Sequence, residues 1–232
     1  MARRSTEQKL SVRGHQIRLP FWDSVVFVDW HGVLSNDLFW ESIRSDPLHR
    51  HYASFAASCD RLFRWRRDLV IGWMTGLQSC AQIIAELQRD CDIELDEQYL
   101  HDILHRDCRS SALEPTLVEA LFRVRPRTFV VLATDNMDCF WANVDRIPII
   151  ASVFDAVLCS SELGILKTED PWAFFGPWLE SHRLQFSHAL LLDDTPDVCD
   201  AFTACGGRAL RVNGIENAVV ELEAWCSRLS GP

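Results

Sequence analysis

Three short apolar runs, far apart in the chain, each stop abruptly at a polar or acidic residue: Ser24 to Val28 before Asp29, Phe129 to Ala133 before Thr134, and Ala189 to Leu192 before Asp193. A continuous apolar run of this length fits a strand covered on both faces, as in a parallel sheet. A buried helix segment has similar apolar character, but brevity and Val-rich composition favour strand. Ala156 to Cys159 and Ala209 to Val212 are weaker strand candidates. Between the runs lie helical patterns. Glu114 to Arg123 carries Leu117, Val118, Leu121 and Phe122 at three-and-four spacing, with Pro115 suited to a first turn. Trp172 to Ser181 and Val198 to Ala204 also read as helices. Strands alternating with helices predict an α/β fold, an open parallel Rossmann-like sheet flanked by helices.

The stretch from Asp37 to Ala112 breaks that alternation. It has helical patterning, including Ile83, Ile84, Leu87 and Cys91, little strand character, and turns at Asp46-Pro47 and near Gly72 and Gly76. The expected organisation is therefore an N-terminal arm over residues 1–20, an α/β core over 21–36 and 113–232, and a helical cap over 37–112, inserted after the first strand.

Composition narrows the function. Acidic residues outnumber basic ones, 33 to 23, for a formal charge of -10; a general nucleic-acid binder needs the opposite balance. No apolar run approaches the ~20 residues of a membrane span. The basic N-terminus lacks the apolar stretch of a secretory signal. No CxxC occurs among the nine cysteines, so reduced, buried thiols and a cytoplasmic location are expected.

In open α/β sheets, ligands sit beyond the carboxyl ends of the strands. The polar ends then converge: Asp29 with its glycine turn (VVFVDWHGVL), Thr134 (VVLATDN), Lys167 (SSELGILKTEDP), and Asp193 with Asp194 (LLLDDTPD). The carboxylates suit a hard, oxygen-loving cation such as Mg2+. That cation, Lys167 and Thr134 can together receive a phosphoryl group. Asp135 is counted with Thr134 and Lys167 as a phosphate-binding position, although Asp135 and Asn136 also read as loop structure. The chain has only two lysines, Lys9 and Lys167, against 21 arginines, which makes chance placement a poor explanation of Lys167.

These segments resemble the four motifs of the haloacid dehalogenase (HAD)-like hydrolase superfamily, in its capped phosphatase-like branch, and they occur in the right order. WMTGLQS and the helix after it are similar to that branch's helical cap. The resemblance implies a Mg2+-dependent phosphatase of a small phosphorylated metabolite, working as a monomer or homodimer with no nucleic-acid or membrane partner. It implies Asp29 as nucleophile through an aspartyl-phosphate, Thr134 and Lys167 on the phosphoryl oxygens, and Asp29, Asp193, Asp194 and the backbone carbonyl of His31 as metal ligands. His31 is the departure, because phosphatases of this superfamily usually carry an acid/base aspartate there. Imidazole, with an ordinary pKa of ~6.5, has both forms accessible near neutrality, so His31 is assigned the acid/base role. The absence of lysine from the insert disfavours a phosphonatase-like Schiff-base mechanism. The alternatives are a catalytically impaired binding or regulatory protein and, less favoured, a haloacid dehalogenase. Several other residues read as structure. His101 and His105, near Cys108, form a solvated helix face rather than a zinc site, and His49 and His51 are surface residues. Trp65 and Trp73, with Arg64, Arg66 and Arg67, belong to core packing and a solvated basic turn rather than to a substrate entrance.

Overall fold

A strand whose successive side chains are all apolar needs cover on both faces, and this protein supplies it. The computed structural model describes residues 11–12, 15–16, 22–90 and 96–229. Five strands, β1 (Val25–Val28), β2 (Phe129–Thr134), β3 (Ala156–Cys159), β4 (Ala189–Asp193) and β5 (Arg208–Arg211), form one parallel sheet in the order β3-β2-β1-β4-β5. Every residue of β1 and β4 is buried. The expected arm over 1–20 lies outside the described residues, except that Ser11–Val12 pairs antiparallel with His15–Gln16.

The insert after β1 consists of α1 (Glu41–Arg44), α2 (Tyr52–Trp65), α3 (Arg67–Met74), α4 (Cys80–Asp90) and α5 (Glu97–Ser110). The core then continues through α6 (Pro115–Val124), α7 (Asp138–Trp141), α8 (Pro148–Val153), α9 (Ser160–Leu163), α10 (Pro171–Ser181), α11 (Pro196–Ala204) and α12 (Ile215–Leu229). Strand side chains alternate between faces. Val26 and Val28 pack with Leu121 of α6, Ile150 of α8 and Leu222 of α12. Val25 and Phe27 face the other layer, where Phe27 lies 4.8 Å from Phe175 of α10, ring to ring, and Phe175 lies 4.9 Å from Phe202 of α11.

The insert has its own apolar centre around Trp40, Phe55, Trp73, Ile83 and Leu100. The indole of Trp40 donates to the Leu100 carbonyl at 2.9 Å, which satisfies a buried N–H. The chain enters and leaves the insert side by side: Asp37 Oδ2 accepts the Ala112 N–H at 2.6 Å, and the Glu114 N–H donates to the Leu34 carbonyl at 2.8 Å. Among the described residues, no helix is long and apolar enough to cross a membrane.

The expectations for His49, His51 and His105 change here, and that for Trp65 and Trp73 holds in part. His51 is buried, at 7% exposure, and half-buried His49 meets the Tyr99 hydroxyl through Nε2 at 2.7 Å. His105 does not point into solvent; its Nδ1 lies 2.6 Å from the Asn143 amide. The aromatic pair divides, with Trp73 inside the insert core and Trp65 79% exposed. Cys91 lies outside the described residues. His49 and His105 meet residues distant in sequence, which helical spacing alone does not reveal.

Candidate active site

Strand register brings the carboxylates together. Val28 pairs with Leu132 on one side and Leu192 on the other, so the next residue, Asp29, emerges level with Asp193. Its backbone N–H donates to the Leu192 carbonyl at 2.9 Å. The chain runs β1, β2, β3 toward one edge and returns to β4 and β5 on the other. This leaves β1 and β4 at the switch point, where a crevice opens beyond the strand ends.

Lys167 joins the strand ends. Its ammonium, 2% exposed, sits 2.9 Å from Asp29 Oδ1 and 2.6 Å from Asp193 Oδ2, and donates to the Ala133 carbonyl at 3.3 Å. Its backbone N–H donates to Asp135 Oδ1 at 3.0 Å. Asp135 therefore holds the lysine loop through its carboxylate. Thr134 ends β2, fully buried, and its hydroxyl accepts from the Asn136 amide at 3.4 Å. Asp193 Oδ1 accepts the Thr195 N–H at 2.9 Å. The half-buried Asp194 stacks its carboxylate over Gly32: a Cβ built there would lie 2.3 Å from Asp194 Oδ2, and Gly32 has a φ of 78°. A glycine is thus required by both the turn and the close approach.

His31 is exposed and bridges in backbone register with Ser35. Its ring makes no hydrogen bond or ion pair among the described residues.

The electrostatics are those of a crowded anionic site. Burial pushes Asp29 up to about 7, against the nearby Lys167 ammonium and with help from the Asp193 carboxylate. For Lys167, burial works against the charge, but Asp29, Asp193 and Asp135 outweigh it and hold the amine firmly protonated. Oxygens of Asp29, Asp193 and Asp194 all lie within 4.8 Å of one another. Asp29 and Asp193 share the Lys167 ammonium, and Asp194 adds a third carboxylate beside them. This set of hard oxygen donors with surplus negative charge fits a divalent cation such as Mg2+.

Two parts of the site escaped sequence reasoning. Ser160 binds the loop after β2 twice, its hydroxyl accepting the Asn136 N–H at 2.9 Å and donating to the Asn136 carbonyl at 3.2 Å. Asp138 reaches from that loop to the insert. Ser160 opens the S-x-x-x-G stretch that precedes Lys167, but its partner and those of Asp138 are distant in sequence and carry no local signal.

No family model matches the chain, and no curated protein matches it by sequence. Solved structures do. A predicted HAD-like family hydrolase from Porphyromonas gingivalis superposes with a TM-score of 0.65 at 19% identity, covering 88% of this chain and 98% of that one. A HAD family enzyme from Bacteroides thetaiotaomicron, in complex with magnesium and inorganic phosphate, gives 0.58 at 14% identity, covering 81% and 92%. A 2-haloacid dehalogenase from Pseudomonas syringae pv. Tomato DC3000 gives 0.58 at 17% identity, covering 87% and 98%. With a parallel sheet in this order and a helical insert after its first strand, the chain has the fold of the HAD-like hydrolases.

Proposed function

We propose that the protein is a Mg2+-dependent phosphatase of a small phosphomonoester, with Asp29 as its nucleophile. The observation that carries this reading is the convergence of Asp29, Asp193 and Asp194 within 4.8 Å, beside the buried ammonium of Lys167. The magnesium-and-phosphate complex of the Bacteroides enzyme supports the same choice of ion and group. Residues 37–112 would act as the cap. A small pocket between it and the core is lined by Trp30, Phe39 and Phe140 together with Asp37, Asp107 and Asn136, a mixed apolar and polar surround for a leaving group.

Lys167 fixes Asp29 Oδ1 at 2.9 Å, which leaves the other carboxylate oxygen to attack phosphorus. As that bond forms, the bond to the leaving oxygen breaks, and His31 as imidazolium supplies its proton. The neutral imidazole then takes a proton from water, whose oxygen attacks the aspartyl-phosphate, releasing phosphate and restoring the Asp29 carboxylate. Thr134 and Lys167 donate to the phosphoryl oxygens. Magnesium, held by Asp29, Asp193, Asp194 and the His31 carbonyl, would supply the positive charge that lets an anionic nucleophile meet an anionic ester.

Two substitutions probe this assignment. His31→Ala is expected to slow turnover of alkyl phosphates by roughly 100-fold or more, and of aryl phosphates much less, because a good leaving group needs no proton. An equal loss on both ester classes would remove His31 from the acid role. Gly32→Ala is expected to weaken magnesium binding several-fold by displacing the Asp194 carboxylate, and to cost about 1–2 kcal/mol through the left-handed backbone. Thermal melts across a magnesium titration read both effects. Unchanged magnesium affinity would mean that Asp194 is not a ligand.

The haloacid dehalogenases among the structural neighbours favour a second reading, in which Asp29 displaces halide from carbon and needs no cation. Asp194 argues for the first, since a cation-free site has no use for another carboxylate beside Asp29 and Asp193. Assays of an aryl phosphate and of a 2-haloacid, each with and without magnesium, separate the two. If neither substrate turns over, the protein is instead a binding module on this fold.

A further inference from the structure

Outside the catalytic crevice, one carboxylate spans from the core to the insert. Asp138 opens α7, four residues after Thr134. Its Oδ1 accepts the Trp73 indole N–H at 2.7 Å and the Cys139 N–H at 2.8 Å, and its Oδ2 accepts the Cys80 N–H at 2.9 Å. Trp73 lies at the end of α3 and Cys80 is the first residue of α4. Both insert donors therefore bracket the loop 75–79.

Each donor needs this acceptor. The Cys80 N–H belongs to the first turn of α4, where the helix itself offers no partner and negative charge is favoured. Trp73 is fully buried and packs its ring 5.8 Å from Trp40 and 5.4 Å from Phe39. Without Asp138, its indole N–H would be stranded in an apolar core.

The bracketed loop bears on the end of β3. Gly76 has a φ of 73°, and a Cβ there would lie 2.5 Å from the Ser161 carbonyl oxygen. Ser160, beside it, holds Asn136 in the loop that carries Thr134. Asn136 thus bonds Thr134 and Ser160, while Asp138, two residues further on, bonds the residues that flank the loop 75–79, whose Gly76 lies against Ser161. The other polar junction differs in place: Arg109 and His105, near the C-terminal end of α5, meet Asn143 at 3.0 and 2.6 Å. That junction falls on the last turns of α5, shortly before the chain leaves the insert at Ala112.

We propose that Asp138 is the latch that holds the helical insert against the core and sets the loop 75–79 at the rim of the crevice. It is a positioning residue and touches no substrate. The assignment rests on the contacts above and stands apart from the phosphatase reading.

The thiols at this junction report whether the latch is closed. Cys80, Cys108 and Cys139 are buried within one apolar cluster, where the insert meets α7. Cys199, on α11, is buried elsewhere in the core. Labelling by N-ethylmaleimide, resolved by peptide mass spectrometry, should show Cys80 and Cys139 reacting roughly tenfold or more faster in Asp138→Asn, with Cys199 unchanged. Trp73→Phe removes one of the two insert donors and should give a smaller rise. The double variant should rise less than the product of the single effects, because both changes weaken the same junction. On the functional reading above, KM for a phosphomonoester should also rise in Asp138→Asn more than kcat falls. Labelling rates equal to the native protein's, or a parallel rise at Cys199, would overturn the latch whether or not the protein turns over phosphate esters.

Discussion

Asp29→Asn is expected to abolish phosphomonoester turnover, with a loss of roughly 10,000-fold or more in kcat, because no other group can take the place of the attacking oxygen. The same substitution should leave the metal-free fold more stable near neutral pH. Burial raises the Asp29 pKa from 3.8 to about 7, so the native state holds this proton more tightly than the unfolded chain does. Stability is then lost as pH rises from 3.8 through about 7. Asparagine carries no such charge. In chelator-treated protein, the melting temperature of Asp29→Asn should exceed that of the native protein above pH 7, and the gap should close toward pH 4. A constant gap across that range would mean that the Asp29 charge is already compensated without metal.

Lys167→Ala should be the most damaging single change to the fold. It removes the one ammonium beside Asp29 and Asp193, and Asp193 is fully buried. Breaking a buried pair by deleting one partner costs about 3–5 kcal/mol, because the other charge stays behind without compensation. Arginine should not rescue it, since a planar guanidinium does not fit a space closed around a primary amine. Adding Asp193→Asn to Lys167→Ala should recover part of the loss. Denaturant unfolding of the single and double variants measures this directly. A double variant less stable than Lys167→Ala would show that Asp193 owes its place to groups other than the lysine.

The elements that carry chemistry were legible because apolar runs and their polar ends are local signals. The run expected over Ser24 to Val28 forms Val25–Val28, and the Ala156 to Cys159 strand appears with those bounds. The edge strand falls at Arg208–Arg211 rather than Ala209 to Val212, because its half-exposed residues blur the apolar signal. The long α12 passed unremarked, although Ala218, Leu222 and Cys226 stand four apart and are buried together. At the crevice, Asp29 and Asp193 could be proposed from their places at strand ends, since the register of a parallel sheet does the rest, whereas Lys167, in the loop beyond α9, stood out because the chain has only two lysines. The Asp138 contacts could not. They join residues 58 and 65 positions apart, and neither Trp73 nor Cys80 announces its partner in its own neighbourhood. Likewise His51 reads as a surface residue in sequence, yet the fold buries it.

The proposed phosphatase chemistry requires a phosphoryl group to pass through Asp29. Turnover of a phosphomonoester, stopped in acid and followed by peptide mass spectrometry, should find one phosphoryl group on Asp29 when magnesium is present and none when it has been chelated. Phosphate released at full rate while Asp29 stays unmodified, or in the Asp29→Asn variant, would contradict it.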